Sequence, residues 1–237
     1  MLTFAKFFEQ NDALRSDKEV RRFTHNYLSG KFPDQKAAIQ RLKEILQKYF
    51  DLFNRVLGEF VKLMKKALPK KGVSPNDIKF LYQTKTVVSI IDKVINRQKP
   101  LGQISDLVRG AILFKDSQMM RAWSRDFERK FSRFIDKVEV KDKSTAAFQE
   151  TGYYGTIHYD LKILGLNVEL QVATQKLWHY KHEAHKLYTK WRSRPEPMSA
   201  QDQELSKALF RIGNVYENEH SPEELDEWSD WIELGLE

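Results

Sequence analysis

Two acidic residues stand at positions from which a folded chain could bring them to one metal ion. Asp106 comes just before the near-continuous apolar run of residues 107–114, and Glu169 lies inside the alternating run "VELQV". Alternation with a period of two predicts a strand and places Gln171 on the same face as Glu169. Mg²⁺ takes one or two protein carboxylates and fills its other positions with water and phosphate oxygens. On adjacent strands, Asp106 and Glu169 could share Mg²⁺; by itself, such a pair is more often a turn or surface feature.

A series of polar residues at four-residue steps could bind phosphate groups. Lys85, Ser89 and Lys93 follow one another where a predicted strand runs into a predicted helix. The spacing puts Ser89 and Lys93 on one helical face. Ammonium groups and the amides of a helix start both attract an anion, so the series is a candidate site for a triphosphate. A solvated helix face is the plainer alternative.

The segment "YGTIH" offers an aromatic surface and an imidazole on one strand face. Tyr154, Thr156 and His158 share that face by the period of two. The ring could stack on a base, and the imidazole could meet a phosphate or a hydroxyl. The alternative is an aromatic strand that packs on the sheet.

Several common chemistries are excluded or unsupported by the sequence. The ten glycines form neither a G-x-x-x-x-G-K-[ST] phosphate loop nor a G-x-G-x-x-G fingerprint. The run "HEAH" at residues 182–185 is one residue short of the H-E-x-x-H metalloprotease spacing. The chain has no cysteine, which excludes disulfides, zinc ribbons, thiolate catalysis and iron–sulfur ligation.

Hydrophobic periodicity predicts the elements that would carry these residues. Between Pro33 and Pro69, apolar residues recur at helical spacing and predict one long amphipathic helix or two abutting ones. The other predicted elements are a helix from a capping box at Ser16 to Gly30, strands over 78–85, 107–114, 138–140, 153–164 and 168–174 with a Gly-containing hairpin between the last two, helices at about 89–97, 117–134 and 175–191, and helix starts at Ser199 and Ser221.

Charge is divided unevenly along the chain. The total is +7, but residues 199–237 hold eleven acidic residues against two basic ones, so residues 1–198 carry +16. Such a field favours polyanionic partners such as nucleotide phosphates or RNA, and acidic C-terminal helices could fold over the basic region and restrain it.

The predicted elements and the charge divide the chain into three regions. We expect an N-terminal helical region over 1–75, a mixed sheet-bearing domain over 76–195, and an acidic helical tail over 196–237. No run approaches the roughly 18 consecutive apolar residues of a membrane span, and the first residues lack an apolar export signal. We therefore expect a cytoplasmic protein with no membrane partner.

Five segments occur in an order that resembles the RelA/SpoT synthetase domain. They are K-x-x-x-S-I-x-x-K, "ISDLV", "TGYYGTIHY", "VELQVAT" and "W…EAHKLY", over roughly residues 78–190. The sequence thus resembles a divergent (p)ppGpp synthetase of the small alarmone synthetase type. The resemblance implies an α+β fold with a mixed β-sheet of nucleotidyltransferase type flanked by helices. It also implies transfer of pyrophosphate from ATP to a ribose 3′-hydroxyl, which makes (p)ppGpp from GDP or GTP.

The resemblance also implies roles for single residues. Asp106 of "ISDL" matches the metal-binding aspartate, with Mg²⁺ as the cofactor, and Glu169 of "VELQ" matches the glutamate that contacts the metal or helps to activate the acceptor hydroxyl. Tyr153 or Tyr154 matches the aromatic residue that stacks on the acceptor base, because "GYYGTIH" has one residue more than the usual spacing. The remaining nucleotide-binding positions are matched by Lys85, Ser89 and Lys93 for the donor phosphates and by His158, Gln171 and Thr174.

The chain departs from the family pattern where the donor base would bind. The two arginines that sandwich adenine in typical synthetases should fall near Gln83 and Ala111, where this chain has no arginine, and a third family arginine falls at Ala173. Arg109 lies two residues from the expected place on the same strand face and is the candidate substitute, reaching the base or the phosphates.

Three functions are therefore compatible with the sequence. Alarmone synthesis from ATP and a guanosine nucleotide is the leading interpretation. A toxin-like member that pyrophosphorylates the tRNA 3′ end fits the charge of +16, and a catalytically degenerate domain that binds a nucleotide or RNA fits the missing arginines. A homo-oligomer formed through the long helix and an antitoxin partner are left open.

Overall fold

The computed structural model describes residues 17–69, 74, 76–191 and 196–214. None of the helices in these ranges is long and apolar enough to cross a membrane. The helices are α1 (Lys18–Leu28), α2 (Gln35–Ala67), α3 (Val87–Ile91), α4 (Ser117–Phe131), α5 (Ala146–Thr151), α6 (Gln175–Trp191) and α7 (Ala200–Asn214). The strands are β1 (Ile78–Thr84), β2 (Val108–Phe114), β3 (Ile135–Lys141), β4 (Thr156–Ile163) and β5 (Leu166–Thr174).

The five strands form one mixed sheet in the order β1-β2-β5-β4-β3. Strands β2 and β5 are parallel neighbours, and the other neighbouring pairs are antiparallel. In the parallel pair, Arg109 lies opposite Glu169. The α+β class with a mixed sheet and flanking helices is thus confirmed, and so is the adjacency of the strands that follow Asp106 and contain Glu169.

The residue that caps the start of α1 is Asp17, one residue after Ser16, where the capping box was predicted to begin. The Asp17 side chain accepts from the backbone amides of Glu19 at 2.7 Å and Val20 at 3.0 Å, which satisfies two of the unpaired amides of the first turn. The predicted end is confirmed, since Gly30 has a φ of +66° just beyond the helix.

The segment between Pro33 and Pro69 forms one continuous helix of 33 residues, α2. Asp34 caps it by accepting from the Ala37 amide at 2.7 Å. Its apolar stripe, which includes Leu42, Phe53 and Phe60, is buried in the main hydrophobic cluster with the sheet. The stripe is therefore a packing face within this chain, and helices α1 and α2 share one core with the strands.

Helices cover the two faces of the sheet differently. One face carries apolar residues such as Ile112 and Leu170, which pack in the cluster with α1, α2 and α4. On the other face, Ala173 packs with Leu177 of α6 and Leu209 of α7 in a second cluster. The rest of that second face is polar, and a cleft opens there.

Strands β4 and β5 join through the predicted hairpin. Its turn is formed by Leu164 and Gly165, with φ angles of +48° and +70°. A two-residue turn with positive φ at both positions matches the twist of antiparallel strands, and glycine adopts such angles at least cost. The tight turn fixes the register of β4 on β5, so that His158 lies opposite Gln171.

The C-terminal helix α7 starts where the sequence predicts. The Ser199 side chain accepts from the Asp202 amide at 3.2 Å, and the helix follows from Ala200. The apolar side of α7 is buried with α6 through Leu209 and Phe210. The helix predicted from Ser221 lies outside the described residues.

Candidate active site

A polar cleft of about 610 Å³ opens on the second face of the sheet. Its walls hold five cationic side chains and four carboxylates, so the fixed charges nearly balance. A bound triphosphate would bring more negative charge than the single excess cation could neutralise. The cations are Lys85, Lys93, Arg97, Arg109 and Lys137, the acids are Asp106, Glu139, Asp160 and Glu169, and Ser105, His158, Gln171, His185 and Tyr188 complete the lining.

Asp106 is held between two lysines at the bottom of the cleft. Its carboxylate oxygens accept from Lys85 Nζ at 2.7 Å and from Lys93 Nζ at 2.8 Å. Burial raises the pKa of Asp106, but the two ammonium groups outweigh this and hold that pKa below its ordinary value. Burial lowers the pKa of Lys85, and the charge of Asp106 raises it by less. Asp106 is therefore ionised at neutral pH.

The path of the chain around the ends of β1 and β2 brings Lys85 and Lys93 to Asp106. Lys85 follows β1 directly, and its amide donates to the Leu107 carbonyl at 2.8 Å, which ties the end of β1 to the approach of β2. Thr86 then caps α3 by accepting from the Ser89 amide at 3.3 Å. The π-helical turn Asp92–Asn96, which continues α3, presents Lys93 to Asp106 from the other side.

Glu169 lies in the middle of β5 and points into the same cleft. Its Oε1 accepts from Gln171 Nε2 at 2.5 Å, and His158 Nδ1 lies 3.4 Å from the same oxygen. Burial raises the pKa of Glu169, while His158 and Gln171 lower it by more, so the carboxylate stays ionised. The predicted common face of Glu169 and Gln171 is confirmed by this contact.

The two carboxylates suit a magnesium ion shared with a substrate. Asp106 and Glu169 line one cleft and are close enough for the charge of Asp106 to raise the pKa of Glu169. Within the described ranges, no group of three or more acidic or histidine side chains could form a complete metal cage. Mg²⁺ needs no such cage, because substrate phosphates and water complete its octahedron. The oxygen ligands present fit this ion.

The two adjacent tyrosines have different surroundings. The Tyr153 hydroxyl lies 2.7 Å from His158 Nε2 and accepts from Thr156 Oγ1 at 2.8 Å, while its ring packs on Phe210. Burial raises the pKa of Tyr153. Tyr154 instead contacts the Phe148 ring edge to face. The ammonium of Lys143, which precedes α5, lies 5.5 Å from the centre of the Tyr154 ring. Tyr153 is thus tied inward, and neither ring lies among the lining residues.

Arg109 is oriented by its neighbour in the sheet. It lies opposite Gln83 of β1, and the amide oxygen of Gln83, turned toward it, accepts from Nη2 at 2.7 Å and from Nε at 3.0 Å. Gln83 therefore binds the Arg109 guanidinium. Gln83 itself lies near a position at which the family that the sequence resembles has an adenine-contacting arginine. The guanidinium itself lines the cleft.

Comparisons with known proteins agree with this architecture. No protein-family model matches the sequence, and no curated protein matches it. A GTP pyrophosphokinase family protein from Streptococcus pneumoniae is similar with a TM-score of 0.50 at 14% identity, over 81% of this chain and 95% of that chain. The chain therefore shares its fold with that family protein.

Two further solved structures are similar to this chain at lower TM-scores. Small alarmone synthetase 1 from Bacillus subtilis has a TM-score of 0.49 at 18% identity, over 81% of this chain and 96% of that chain. The type VI effector Tas1, in complex with its immunity protein, has a TM-score of 0.48 at 18% identity, over 69% of this chain and 95% of that chain.

Within the GTP pyrophosphokinase fold, most of the predicted site residues come together. Seven of them line the cleft: Lys85, Lys93, Asp106, Arg109, His158, Glu169 and Gln171. Four others lie outside its lining. Ser89 exchanges hydrogen bonds with Thr86, and Tyr153 and Tyr154 pack as described above. Thr174 caps α6 by accepting from the Leu177 amide at 3.2 Å.

Sequence reasoning missed the residues that close the cleft from β3 and α6. Lys137 and Glu139 alternate on β3 with the same period of two as His158 and Asp160 on β4, which was a usable signal. His185 lies four residues after Lys181 on α6, and the helical step was a signal there too. The docking of α6 on the sheet decides which side of the helix faces the cleft.

Proposed function

We propose that this protein is a divergent member of the RelA/SpoT-like (p)ppGpp synthetases, and that it transfers pyrophosphate from ATP to the 3′-hydroxyl of a guanosine nucleotide with Mg²⁺. The observation that carries the proposal is the cleft itself. Two ionised carboxylates, Asp106 and Glu169, meet in it with Lys85, Lys93 and Arg109. The fold shared with a GTP pyrophosphokinase family protein supports the same reading.

The cationic side chains would bind the donor phosphates. Lys85 and Lys93 reach Asp106 from two sides, so phosphate oxygens that enter the cleft can take over these ammonium groups. Asp106 would then be free to hold Mg²⁺ together with Glu169. The bound ion would neutralise phosphate charge that the nearly balanced cleft leaves uncompensated.

Residues of this chain could carry out the transfer. The acceptor 3′-oxygen forms a bond to the β-phosphorus of ATP, the bond from that phosphorus to the α,β-bridging oxygen breaks, and AMP leaves. Glu169, ionised at neutral pH, accepts the hydrogen bond of the attacking hydroxyl and then its proton. Lys85, Lys93 and Arg109 stabilise the charge that builds up on the transferred phosphates.

A second candidate acceptor is the 3′ end of tRNA. The net charge of +16 on residues 1–198 favours a large polyanion, and Arg97 and Lys137 extend the cationic lining of the cleft. An RNA acceptor would use the same donor site and the same carboxylates. An antitoxin that covers the cleft would be a natural partner of such an activity.

The experiment is incubation of the purified protein with γ-labelled ATP, Mg²⁺ and, separately, GDP, GTP, ADP or bulk tRNA. We expect label on a guanosine 3′-diphosphate with GDP or GTP. Label on tRNA would favour the second candidate. The matched variants are Asp106→Asn and Glu169→Gln, which should both lose transfer, and Asp126→Asn at an exposed position of α4, which should retain it.

Absence of label on every acceptor, while an active alarmone synthetase labels GDP in parallel, would contradict the proposal. Binding of nucleotide or RNA by the same inactive preparation would then favour the catalytically degenerate domain. In that case Lys85→Ala should weaken binding, because its ammonium faces the anion, whereas Glu169→Gln should not.

A further inference from the structure

Lys181 of α6 lies behind the cleft, in an environment that is unusual for a lysine. Its ammonium lies 4.6 Å from the centre of the Trp178 ring and 5.1 Å from that of the Tyr153 ring. It donates to the side-chain oxygen of Gln171. Burial lowers the pKa of Lys181 to about 8. The sequence reasoning gave this residue no role.

The contact with Lys181 fixes which way the Gln171 amide points. An ammonium group has three donors and no acceptor, so it can bind the amide oxygen but not the amide nitrogen. With its oxygen held by Lys181, Gln171 must turn its NH₂ group the other way. That group donates to Glu169 Oε1 at 2.5 Å. The cation on α6 thus determines a hydrogen bond to a carboxylate of the cleft.

The same carboxylate oxygen is also contacted by a second set of hydrogen-bonded side chains. His158 Nδ1 lies 3.4 Å from Glu169 Oε1, and His158 Nε2 lies 2.7 Å from the Tyr153 hydroxyl. Oε1 is thus contacted by both Gln171 and His158, which restricts rotation of the carboxylate. The Tyr153 ring also packs beside Lys181, so both chains end on the same part of α6.

A lysine at this position costs folding free energy, because its ammonium group is desolvated. An ammonium that meets an amide and two rings loses hydration, and although the charge of Glu169 raises its pKa, none of the described carboxylates forms an ion pair with it. Methionine has a similar length and would pack between the rings without that cost. The benefit of a cation here must therefore come from what it does to Gln171 and Glu169.

We propose that Lys181 is a positioning residue of the transfer site: through the Gln171 amide, it holds the Glu169 carboxylate in the orientation that meets the acceptor hydroxyl. The inference deepens the proposed function and rests on it. Lys181 is not among the lining residues of the cleft, and its hydrogen bond toward the site is the one to Gln171.

The test compares Lys181→Met with the matched control Lys186→Met in the full chain. Lys186 lies on the same helix, where its exposed side chain pairs with Glu183. We expect Lys181→Met to lower kcat by about 10- to 100-fold, as loss of a residue that orients a reacting group does, with KM for both nucleotides changed less than about twofold. Its thermal midpoint should be equal to or higher than that of the wild type. Lys186→Met should keep wild-type kcat.

A double-mutant cycle tests the path of the effect. In a Gln171→Leu background, Lys181→Met should change kcat by less than about twofold, because the amide that transmits the effect is gone. Full additivity of the two changes would overturn the proposal. It would also be overturned by a rise in KM at constant kcat, or by a lowered thermal midpoint that accounts for the lost activity.

A separate measurement keeps this inference distinguishable from the proposed function. If the wild type transfers no pyrophosphate, the proposed function fails, and the positioning claim is judged by NMR of the Gln171 side-chain amide in labelled protein. Faster exchange of its NH₂ protons in Lys181→Met than in Lys186→Met supports the claim. Unchanged exchange refutes it.

Discussion

Removal of the Asp106 carboxylate should cost far more stability than removal of an exposed ion-pair partner. The Asp106 side chain is 10% exposed, and those of Lys85 and Lys93 are 8% and 18% exposed. Asp106→Ala would leave two ammonium groups facing each other with no carboxylate between them. Loss of one partner from a buried ion pair costs about 3–5 kcal/mol. That is a large part of the roughly 5–15 kcal/mol that stabilises a typical domain.

Urea unfolding, followed by tryptophan fluorescence, measures this cost. A triple variant, Asp106→Leu with Lys85→Met and Lys93→Met, provides the internal comparison. It removes every charge of the cluster, so we expect it to recover stability to within about 1–2 kcal/mol of the wild type. Its activity should be absent, which separates the contribution of the cluster to folding from its contribution to transfer.

Asp126 of α4 is the matched control. Its carboxylate also pairs with two cations, Arg129 and Lys130, but its side chain is 41% exposed. Asp126→Ala should therefore produce no measurable loss. A loss below about 1 kcal/mol for Asp106→Ala would refute the reasoning, since buried ammonium groups would then tolerate the absence of their counter-ion. An equal loss in Asp126→Ala would refute it as well.

Three further measurements concern Asp106, Glu169 and Gly155. Because the pKa of Asp106 lies below its ordinary value of 3.8, its stabilisation is complete above about pH 4 and lost as the pH falls further, so wild type and Asp106→Ala should converge in acid unfolding. Glu169→Gln should lower kcat by about 100-fold or more with a thermal midpoint within a few degrees; retained kcat would remove Glu169 from the chemistry. Gly155→Ala should destabilise by at least about 1 kcal/mol in urea, because φ is +85° and the new Cβ would lie 1.7 Å from Asn214 Oδ1, and Asn214→Ala should relieve part of that cost.

Residue spacing predicted much of the sheet and of the cleft. The period of two placed Glu169 and Gln171 on one face, and their hydrogen bond confirms it. The apolar run after Asp106 became β2, with apolar neighbours on both faces of the sheet. Periodicity by itself could not make β2 and β5 neighbours, because strand order depends on how the connecting segments pack. The ordered motifs supplied that expectation.

Residue spacing could not predict features that are determined by tertiary packing. The choice between Tyr153 and Tyr154 depends on α7, because Phe210 and the tight approach of Asn214 to Gly155 turn Tyr153 inward. Lys181 looks like any lysine of a helix with several basic residues, and its role follows from the docking of α6 on the sheet. The short helix α5 was not predicted either, since only its Thr145 cap distinguishes it from a loop.

The most direct test of the central claim is ³¹P NMR of the protein incubated with ATP, Mg²⁺ and GDP or GTP. The claim is that the carboxylates and cations of this cleft transfer a diphosphate group as one unit. It predicts that AMP and a nucleoside 3′-diphosphate accumulate in equal amounts, and that Glu169→Gln abolishes both. Formation of ADP with a 3′-monophosphate, or with free phosphate, would contradict it.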